Sequence, residues 1–258
     1  MNFWGGPQPQ THEQRMNVAL EHCERLESRY GTQLLGVTIY GSTARGTDTA
    51  YSDVEMLAVL VGEGIEQDFE GLSGPNKVEI NVLSEDKLLE QALKVDERWS
   101  VTHGQYVYTL PLLETRAGLF ESLKKQVLEQ SDALFEKAMR GLLTCEIFES
   151  IGKLRSAVLE QNRAGVTWIA PVMAQEVAWL LGLAHRHLYR TGSRMLEESL
   201  ALPDLPHGYL ELCQMVCGGD LHSVLTVREQ MEALWQGLEG WTLARNLDLT
   251  MDGLELSG

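Results

Sequence analysis

The pattern of apolar and polar positions changes period near residue 120. Up to there, short apolar runs that alternate every second residue lie between helical stretches. Beyond Phe120 apolar residues recur every three or four positions, and no strand pattern is visible. Thr11 and Gln14 have the spacing of a capping box, and the periodic run behind them predicts a helix as far as Tyr30. Leu34–Tyr40 (LLGVTIY) predicts a strand that stops abruptly at Gly41 and Ser42. Asp53–Val61 (DVEMLAVLV) alternates at its start, which puts Asp53 and Glu55 on one face and Val54 and Met56 on the other. A Gly-, Ser- and Pro-bearing loop is expected next, then a strand over Lys77–Leu83 with Glu79 on its polar face. Ser84, with Glu85 and Asp86 behind it, opens a helix expected to run toward Trp99. Gln105–Leu110 is expected as the last strand, closed by Pro111. The later helices are expected to be punctuated at Gly165, Pro171, Gly192, Pro203 to Pro206, and Gly218 with Gly219. The predicted fold class is α+β: a domain over residues 1–120 with a mixed sheet and flanking helices, then an all-α bundle over 121–258.

Composition narrows the classes of function. With 258 residues, 22% charged and 44% hydrophobic, the chain has the make-up of a globular protein with a sizeable core. Its 37 acidic residues against 21 Lys and Arg give a net charge of −16, shared by both halves. Such a field repels nucleic-acid phosphate and attracts polycations, so no nucleic-acid partner is expected. The opening MNFWGGPQPQ lacks the basic-then-apolar order of a signal peptide. The most apolar helical stretch, Val172–Leu183, is interrupted by Gln175 and Glu176 and reads as too short and too polar to cross a bilayer. Four cysteines do not make a disulfide framework, and no His stands at zinc-ligand spacing beside Cys213 and Cys217. The expectation is a cytoplasmic protein with reduced cysteines and no membrane partner.

The candidate chemistry sits on the two acidic strands. Asp53 and Glu55 project from one face, and two like charges that close are costly unless a cation lies between them. The loop before them, Gly41 to Asp48, opens directly after a strand; its glycines permit close backbone approach, and Ser42 and Arg45 can bind phosphate oxygens. Glu79 on the next acidic strand can supply a third carboxylate. Carboxylates for hard cations beside donors for phosphate are the parts of a magnesium-dependent phosphoryl or nucleotidyl transfer site. Taken alone, an Asp-x-Glu on a strand is most often a solvated face; the Gly-Ser turn ten residues earlier reverses that weighting.

Gly-Ser, a gap of about ten residues and Asp-x-Glu between apolar residues resemble the signature of the DNA polymerase β-like nucleotidyltransferases. The ordered strings IYGSTARGTDTAYSDVEM, NKVEIN, VTHGQ, FESIGK, DLPHGY and LCQMV are similar to those of the kanamycin nucleotidyltransferase family, the aminoglycoside 4′-O-nucleotidyltransferases. The resemblance runs from residue 12 to about residue 245. It implies Mg2+ held by Asp53, Glu55 and Glu79, and a nucleoside triphosphate (ATP) held by Gly41, Ser42, Arg45 and Thr191. It further implies Glu149 as general base, Lys153 on the nucleotide phosphates, and Glu70, Gln105 and Glu146 at the aminoglycoside. The implied activity transfers AMP to an antibiotic 4′-hydroxyl, inactivating kanamycin, tobramycin or amikacin. The implied assembly is a homodimer with active sites shared between subunits. The resemblance departs at Cys145, where the family has an acid, and over residues 163–170, which match poorly.

Residue spacing also speaks to the FESIGK helix. Leu143, Ile147, Ile151, Leu154 and Val158 form an apolar stripe, while Glu146, Glu149 and Lys153 form a separate one. On an arbitrary helix the latter is an exposed Glu-to-Lys pair; the resemblance favours a functional one. His185 and His187 cannot share a helix face. His103 is expected to be a structural hydrogen-bonder, and Trp179, Leu180, Leu183, Trp235 and Trp241 packing residues. Two other functions compete: a nucleotidyltransferase acting on RNA or protein, which needs a basic stripe the chain lacks, and a non-catalytic nucleotide-binding dimeric regulator, which has no use for three retained carboxylates.

Overall fold

The structure, a computed structural model, describes residues 6–250. The chain divides into two compact units: residues up to Lys94 with Thr102–Gln130, and Val95–Val101 with the chain from Ser131 onward.

The first unit is built on one mixed sheet. Helix α1 (His12–Tyr30) starts at the capping box, with Thr11 accepting from the Gln14 backbone N–H and the Gln14 side chain accepting from Thr11 N–H. Strand β1 (Leu34–Tyr40) leads into a single helical turn, α2 (Gly41–Ala44), and then β2 (Val54–Leu60). Strands β3 (Glu66–Ser73) and β4 (Asn76–Ser84) form a hairpin, and after helix α3 (Glu85–Ala92) the chain crosses the second unit. It returns through α4 (Trp99–Thr102), α5 (Gly104–Val107), β5 (Leu110–Glu114) and α6 (Leu119–Leu128). The strand order is β3-β4-β2-β1-β5, with β2 and β4 parallel and the other pairs antiparallel. Val54, Met56, Ala58 and Leu60 of β2, with Val78, Ile80 and Val82 of β4, pack under Ala19, Cys23 and Leu26 of α1. On the opposite face Leu57, Val59 and Leu83 are also buried, and α3 packs on β2 and β4. A central strand covered on both faces reads as a continuous apolar run, which is why the alternation of DVEMLAVLV fades after Met56.

Three sequence expectations for this unit are corrected. The loop expected after Val61 is partly the strand β3, whose residues are exposed almost throughout; an edge strand solvated on both faces has no apolar alternation to betray it. The helix begun at Ser84 ends at Ala92, well short of Trp99. Gln105–Leu110 is mostly the helical turn α5, and the strand starts where it was expected to stop: Pro111 pairs with Thr38 on the outer strand β5, where a missing N–H is tolerated.

The second unit is helical: α7 (Asp132–Gly141), a π-helical segment (Leu142–Ile147), α8 (Phe148–Leu159), α9 (Arg163–Ala184), α10 (Met195–Ser199), α11 (Tyr209–Gly218) and α12 (Val224–Ala244). Helix α9 is its core, packed by each of the others. At Gly182 a Cβ would lie 2.4 Å from Ser100 Cβ, so only glycine lets this turn approach the 95–101 segment. There Ser100 O accepts from Tyr189 N–H and the Trp99 ring meets Phe135 edge to face at 4.8 Å. Gly165 and Pro171, expected as breaks, both lie inside α9; burial of Val166, Ala170, Met173, Val177 and Leu181 on its inner face outweighs the cost of about 3 kcal/mol for an interior proline. At 22 residues α9 is longer than the stretch judged too short for a membrane, and it does meet the length and composition for crossing one. In its most apolar window 67% of the residues are buried inside the protein. Leu180 and Leu183 are core, and Trp241 packs at 6% exposure.

Candidate active site

Strand pairing assembles the acidic site in the first unit. Glu70 of β3 lies opposite Glu79 of β4, Glu79 opposite Glu55 of β2, and Glu55 opposite Tyr40 of β1. Paired residues share a sheet face. One row thus carries three carboxylates across three strands and ends in a phenol. The polar end of the face opposite α1 is therefore unusually acidic, and directly opposed like charges are destabilising.

Burial amplifies that repulsion. The Glu55 carboxyl is pushed up to about 7, first by desolvation and then by the charges of Asp53 and Glu79, with Arg45 and Lys77 pulling the other way. Glu79 Oε1 accepts from Tyr40 Oη at 3.3 Å and from Asn81 Nδ2 at 3.4 Å. Asn81 Nδ2 also donates to Tyr40 Oη at 2.9 Å. Burial, then the charges of Glu79 and Glu55, drives the Tyr40 phenol well above its ordinary pKa, so it stays a donor.

The turn after β1 closes against the same carboxylate. Gly41 has φ +71°, and a Cβ there would lie 1.8 Å from Glu55 Oε2. Glycine is required twice, for the left-handed backbone and for the space its missing side chain leaves to Glu55. Thr43 Oγ1 donates to Asp53 O at 3.2 Å, tying the turn to the start of β2. Ser42 is half-buried, and Arg45 Cζ lies 5.4 Å from the Tyr108 ring centre. Behind the turn Arg15, 2% exposed, donates from Nε and Nη2 to Asp48 Oδ2 and from Nη1 to Gln10 O, while His12 Nδ1 meets Asp48 Oδ1 at 2.8 Å. Burial opposes ionisation of Asp48, but the hydrogen bonds from Arg15 and His12 outweigh it and lower its pKa. The Gly41–Asp48 segment is thereby anchored to α1.

Asp53 and Glu55 fit a hard divalent cation on this chemistry. A buried carboxylate driven toward its neutral form by two other acids is relieved when a cation joins them. Among the described residues no three acidic, His or Cys side chains are grouped to hold a metal. The side chains have other partners here: Asp53 Oδ2 lies 3.9 Å from Lys77 Nζ, and Glu79 Oε1 is engaged by Tyr40 and Asn81. Lys77 also pairs with Glu70 at 2.7 Å. Gln105 is half-buried on α5 of the same unit. Buried His103 is hydrogen-bonded to Thr102 Oγ1 at 2.9 Å, the structural role expected for it.

The second unit holds the other candidates. Glu149 Oε1 and Lys153 Nζ form an i,i+4 pair at 2.8 Å on α8, each more than half exposed. Hydrogen bonding to Glu149 raises the Lys153 pKa. Beneath them Ile147, Ile151 and Leu154 are buried, so the apolar and charged stripes separate as their spacing requires. Glu146 is exposed at the end of the π-helical segment. A groove beside the pair is lined by Phe148, Glu149, Lys153, Asn162 and Ile169. Thr191 caps a 3₁₀ turn (Gly192–Arg194), its hydroxyl accepting from Ser193 N–H at 3.1 Å.

Sequence reasoning missed Tyr40, Lys77, Asn81 and the Arg15–Asp48 anchor. Lys77 and Asn81 flank Glu79 at two-residue spacing and so share its face, a signal that was present in NKVEIN. Tyr40 and Arg15 depend on antiparallel register and helix placement, which no local pattern encodes.

The family model described as the KNTase C-terminal domain matches residues 117–248. The chain is 35% identical over 237 residues to an aminoglycoside nucleotidyltransferase (4′) of Staphylococcus aureus, covering 92% of this chain and 93% of that protein. A protein of the same name from a Bacillus species matches to the same extent. Among solved structures, a nucleotidyltransferase-like protein from Exiguobacterium sibiricum superposes with a TM-score of 0.54 at 13% identity, covering 88% of this chain and 75% of that one, a likeness of fold alone.

Proposed function

Because the chain belongs to the aminoglycoside nucleotidyltransferase (4′) family, and is therefore an enzyme, we propose that it moves a nucleoside monophosphate from a triphosphate, ATP, to the 4′-hydroxyl of an aminoglycoside and so confers resistance. The observation that carries this reading is the Glu70–Glu79–Glu55 row beside Asp53 and the Gly41 turn. Kanamycin, tobramycin and amikacin are the substrates proposed, polycations that suit a protein of net charge −16.

Asp53 and Glu55 would hold magnesium, with Glu79 adding charge. Bound there, the ion supplies the positive charge that offsets what develops on the α-phosphoryl group. Gly41 and Ser42 lie against the triphosphate, Thr191 contributes a further nucleotide contact, and the Arg45 guanidinium donates to phosphate oxygens. Glu149 takes the proton of the sugar hydroxyl as its oxygen attacks phosphorus in line; the bond to pyrophosphate breaks, and Lys153 steadies the leaving charge. Glu70, Gln105 and Glu146 hold the ammonium and hydroxyl groups of the antibiotic. The working enzyme is proposed to be a cytoplasmic homodimer in which the base and the acidic strands of one site come from different subunits.

The test is transfer of label from α-labelled ATP with magnesium, using kanamycin, RNA or no acceptor. Label on kanamycin supports the reading. Label on RNA or on the protein itself, or none anywhere, overturns it in favour of a macromolecular acceptor or a non-catalytic binder.

A further inference from the structure

Glu176 is a carboxylate that neither the family signature nor the proposed mechanism uses. It lies in the middle of α9, 4% exposed, among Met173, Ala174, Val177 and Ala178, all fully buried. Its Oε1 accepts from Ser150 Oγ of α8 at 3.0 Å. Its Oε2 is buried and has no hydrogen-bond partner among the described residues. An acid held in an apolar helix with one oxygen unsatisfied is costly to the fold and calls for a use.

Its neighbours indicate that use. Ser150 follows Glu149 directly and precedes Lys153 by three residues, so Glu176 grips the α8 turn that carries both. The strongest charges acting on Glu176 are Glu146, Lys153 and Glu149, all on the π-helical segment and α8; none belongs to α7, α10 or α12. From α11, Tyr209 donates its hydroxyl to Ala174 O and is driven up by burial, and Cys213 is pushed up to about 11 by burial, so both stay neutral here.

We propose that Glu176 is a positioning residue for the Glu149–Lys153 pair, fixing its turn through Ser150 and supplying, from inside the bundle, a negative charge that favours proton transfer to Glu149. The proposal rests on the reading of Glu149 as the base. Moving the sugar proton onto Glu149 removes one of several clustered negative charges, and that step is easier when Glu176 is ionised. Desolvation pushes the Glu176 carboxyl up to about 7, opposed by the Ser150 hydrogen bond and by Lys153. Its charge therefore changes around pH 7.

The experiment is the pH profile of kcat on the full-length enzyme with saturating magnesium, ATP and kanamycin. Wild type should show a rise through pH about 7 that Glu176→Gln lacks, with kcat above that pH lower by roughly threefold to tenfold and KM little changed. Ser150→Ala keeps the charge and removes a donor to the anion, so the rise should persist at a higher pH. A folded Glu176→Gln with an unchanged profile overturns the proposal; so does a Ser150→Ala rise that stays in place, which decides the matter should Glu176→Gln not fold. A wild type that transfers to kanamycin with no such rise overturns this assignment alone. A wild type that transfers nothing to kanamycin overturns the assigned base and this proposal together.

Discussion

Glu55 in the sheet unit and Glu176 in the helical unit are both pushed up to about 7, and burial is the first cause in each. They differ in what else surrounds them. Beside Glu55 the next influences are two further carboxylates, Asp53 and Glu79, and its Oε2 rests against a glycine that keeps the space open. Beside Glu176 the next influence is a serine hydroxyl from the same bundle, which holds the carboxyl down; of the charges, Glu146 and Glu149 push it up and Lys153 pulls it down. At Glu55 two carboxylates reinforce burial ahead of the opposing Arg45 and Lys77, whereas at Glu176 the first influence after burial is an opposing hydrogen bond from Ser150. Similar values thus arise from different arrangements: a row of carboxylates whose chemistry suits a cation, and a single internal carboxylate hydrogen-bonded to the helical turn that carries an exposed ion pair.

The strongest way to break this contrast is to remove the sheet charge. Asp53→Asn and Glu55→Gln should each lower transfer by roughly 10³-fold or more. A group whose folded pKa lies above its unfolded value stabilises fully below the unfolded pKa, and that stability is lost as pH rises through the folded one. For Glu55 the loss runs from pH about 4.5 to about 7. Without divalent ions at pH about 8, Glu55→Gln should therefore unfold later than wild type, by on the order of 3 kcal/mol. Magnesium should raise the wild-type melting temperature and leave that of Glu55→Gln unmoved. Comparable turnover with an unchanged magnesium dependence would sink the assignment.

Glu149→Gln should cost roughly 10²–10³-fold in kcat without the gain in stability, because Glu149 is exposed and already paired. Mixing it with Asp53→Asn tests whether sheet and bundle meet across subunits. After random re-association about half the dimers are mixed, and each has one site with both defects and one with neither, so activity should return to about a quarter of wild type. Mixed dimers confirmed by mass spectrometry but still inactive would show that each chain completes its own site.

Gly41→Ala attacks the open space instead of the charge. Its Cβ would overlap Glu55 Oε2, and the left-handed backbone would be strained. The expected result is a loss of roughly 10²-fold in activity with about 1–2 kcal/mol of destabilisation, read by turnover and thermal melts. A variant with near wild-type turnover would mean that Glu55 need not lie against this turn.

How much of this was legible before the structure differs between the units. The Asp53–Glu55 pair and the glycine turn are local features, and the sequence pattern delivered both. Strand β3 was hidden because Glu66–Ser73 has no buried face, and its place comes from hydrogen bonds to β4. The row that joins Glu70, Glu79 and Glu55 is likewise a product of register. The stripe of Glu146, Glu149 and Lys153 was readable from helical spacing. Glu176 was not, because a polar residue inside an apolar helix reads as an interruption until its partner, Ser150 on another helix, is known.

The smallest effect should come from the rim of the sheet site. Glu70 ends the acidic row but is exposed, and it holds Lys77 at 2.7 Å while Asp53 lies farther, at 3.9 Å. An exposed pair of this kind contributes under about 1 kcal/mol to stability. Glu70→Gln should therefore melt close to wild type. Two consequences for activity can be separated. If Glu70 faces the antibiotic, as proposed, losing one negative charge before a polycation raises the aminoglycoside KM by roughly threefold to tenfold, and added salt narrows the gap. If its work is to draw Lys77 away from Asp53, the released ammonium competes with magnesium instead, and the magnesium requirement rises while KM stays put. The expected outcome is the first, because Lys77 hydrogen-bonds Glu70 but stands beyond hydrogen-bond distance of Asp53. A shifted magnesium dependence with constant KM would move Glu70 from the antibiotic to the metal side of the site.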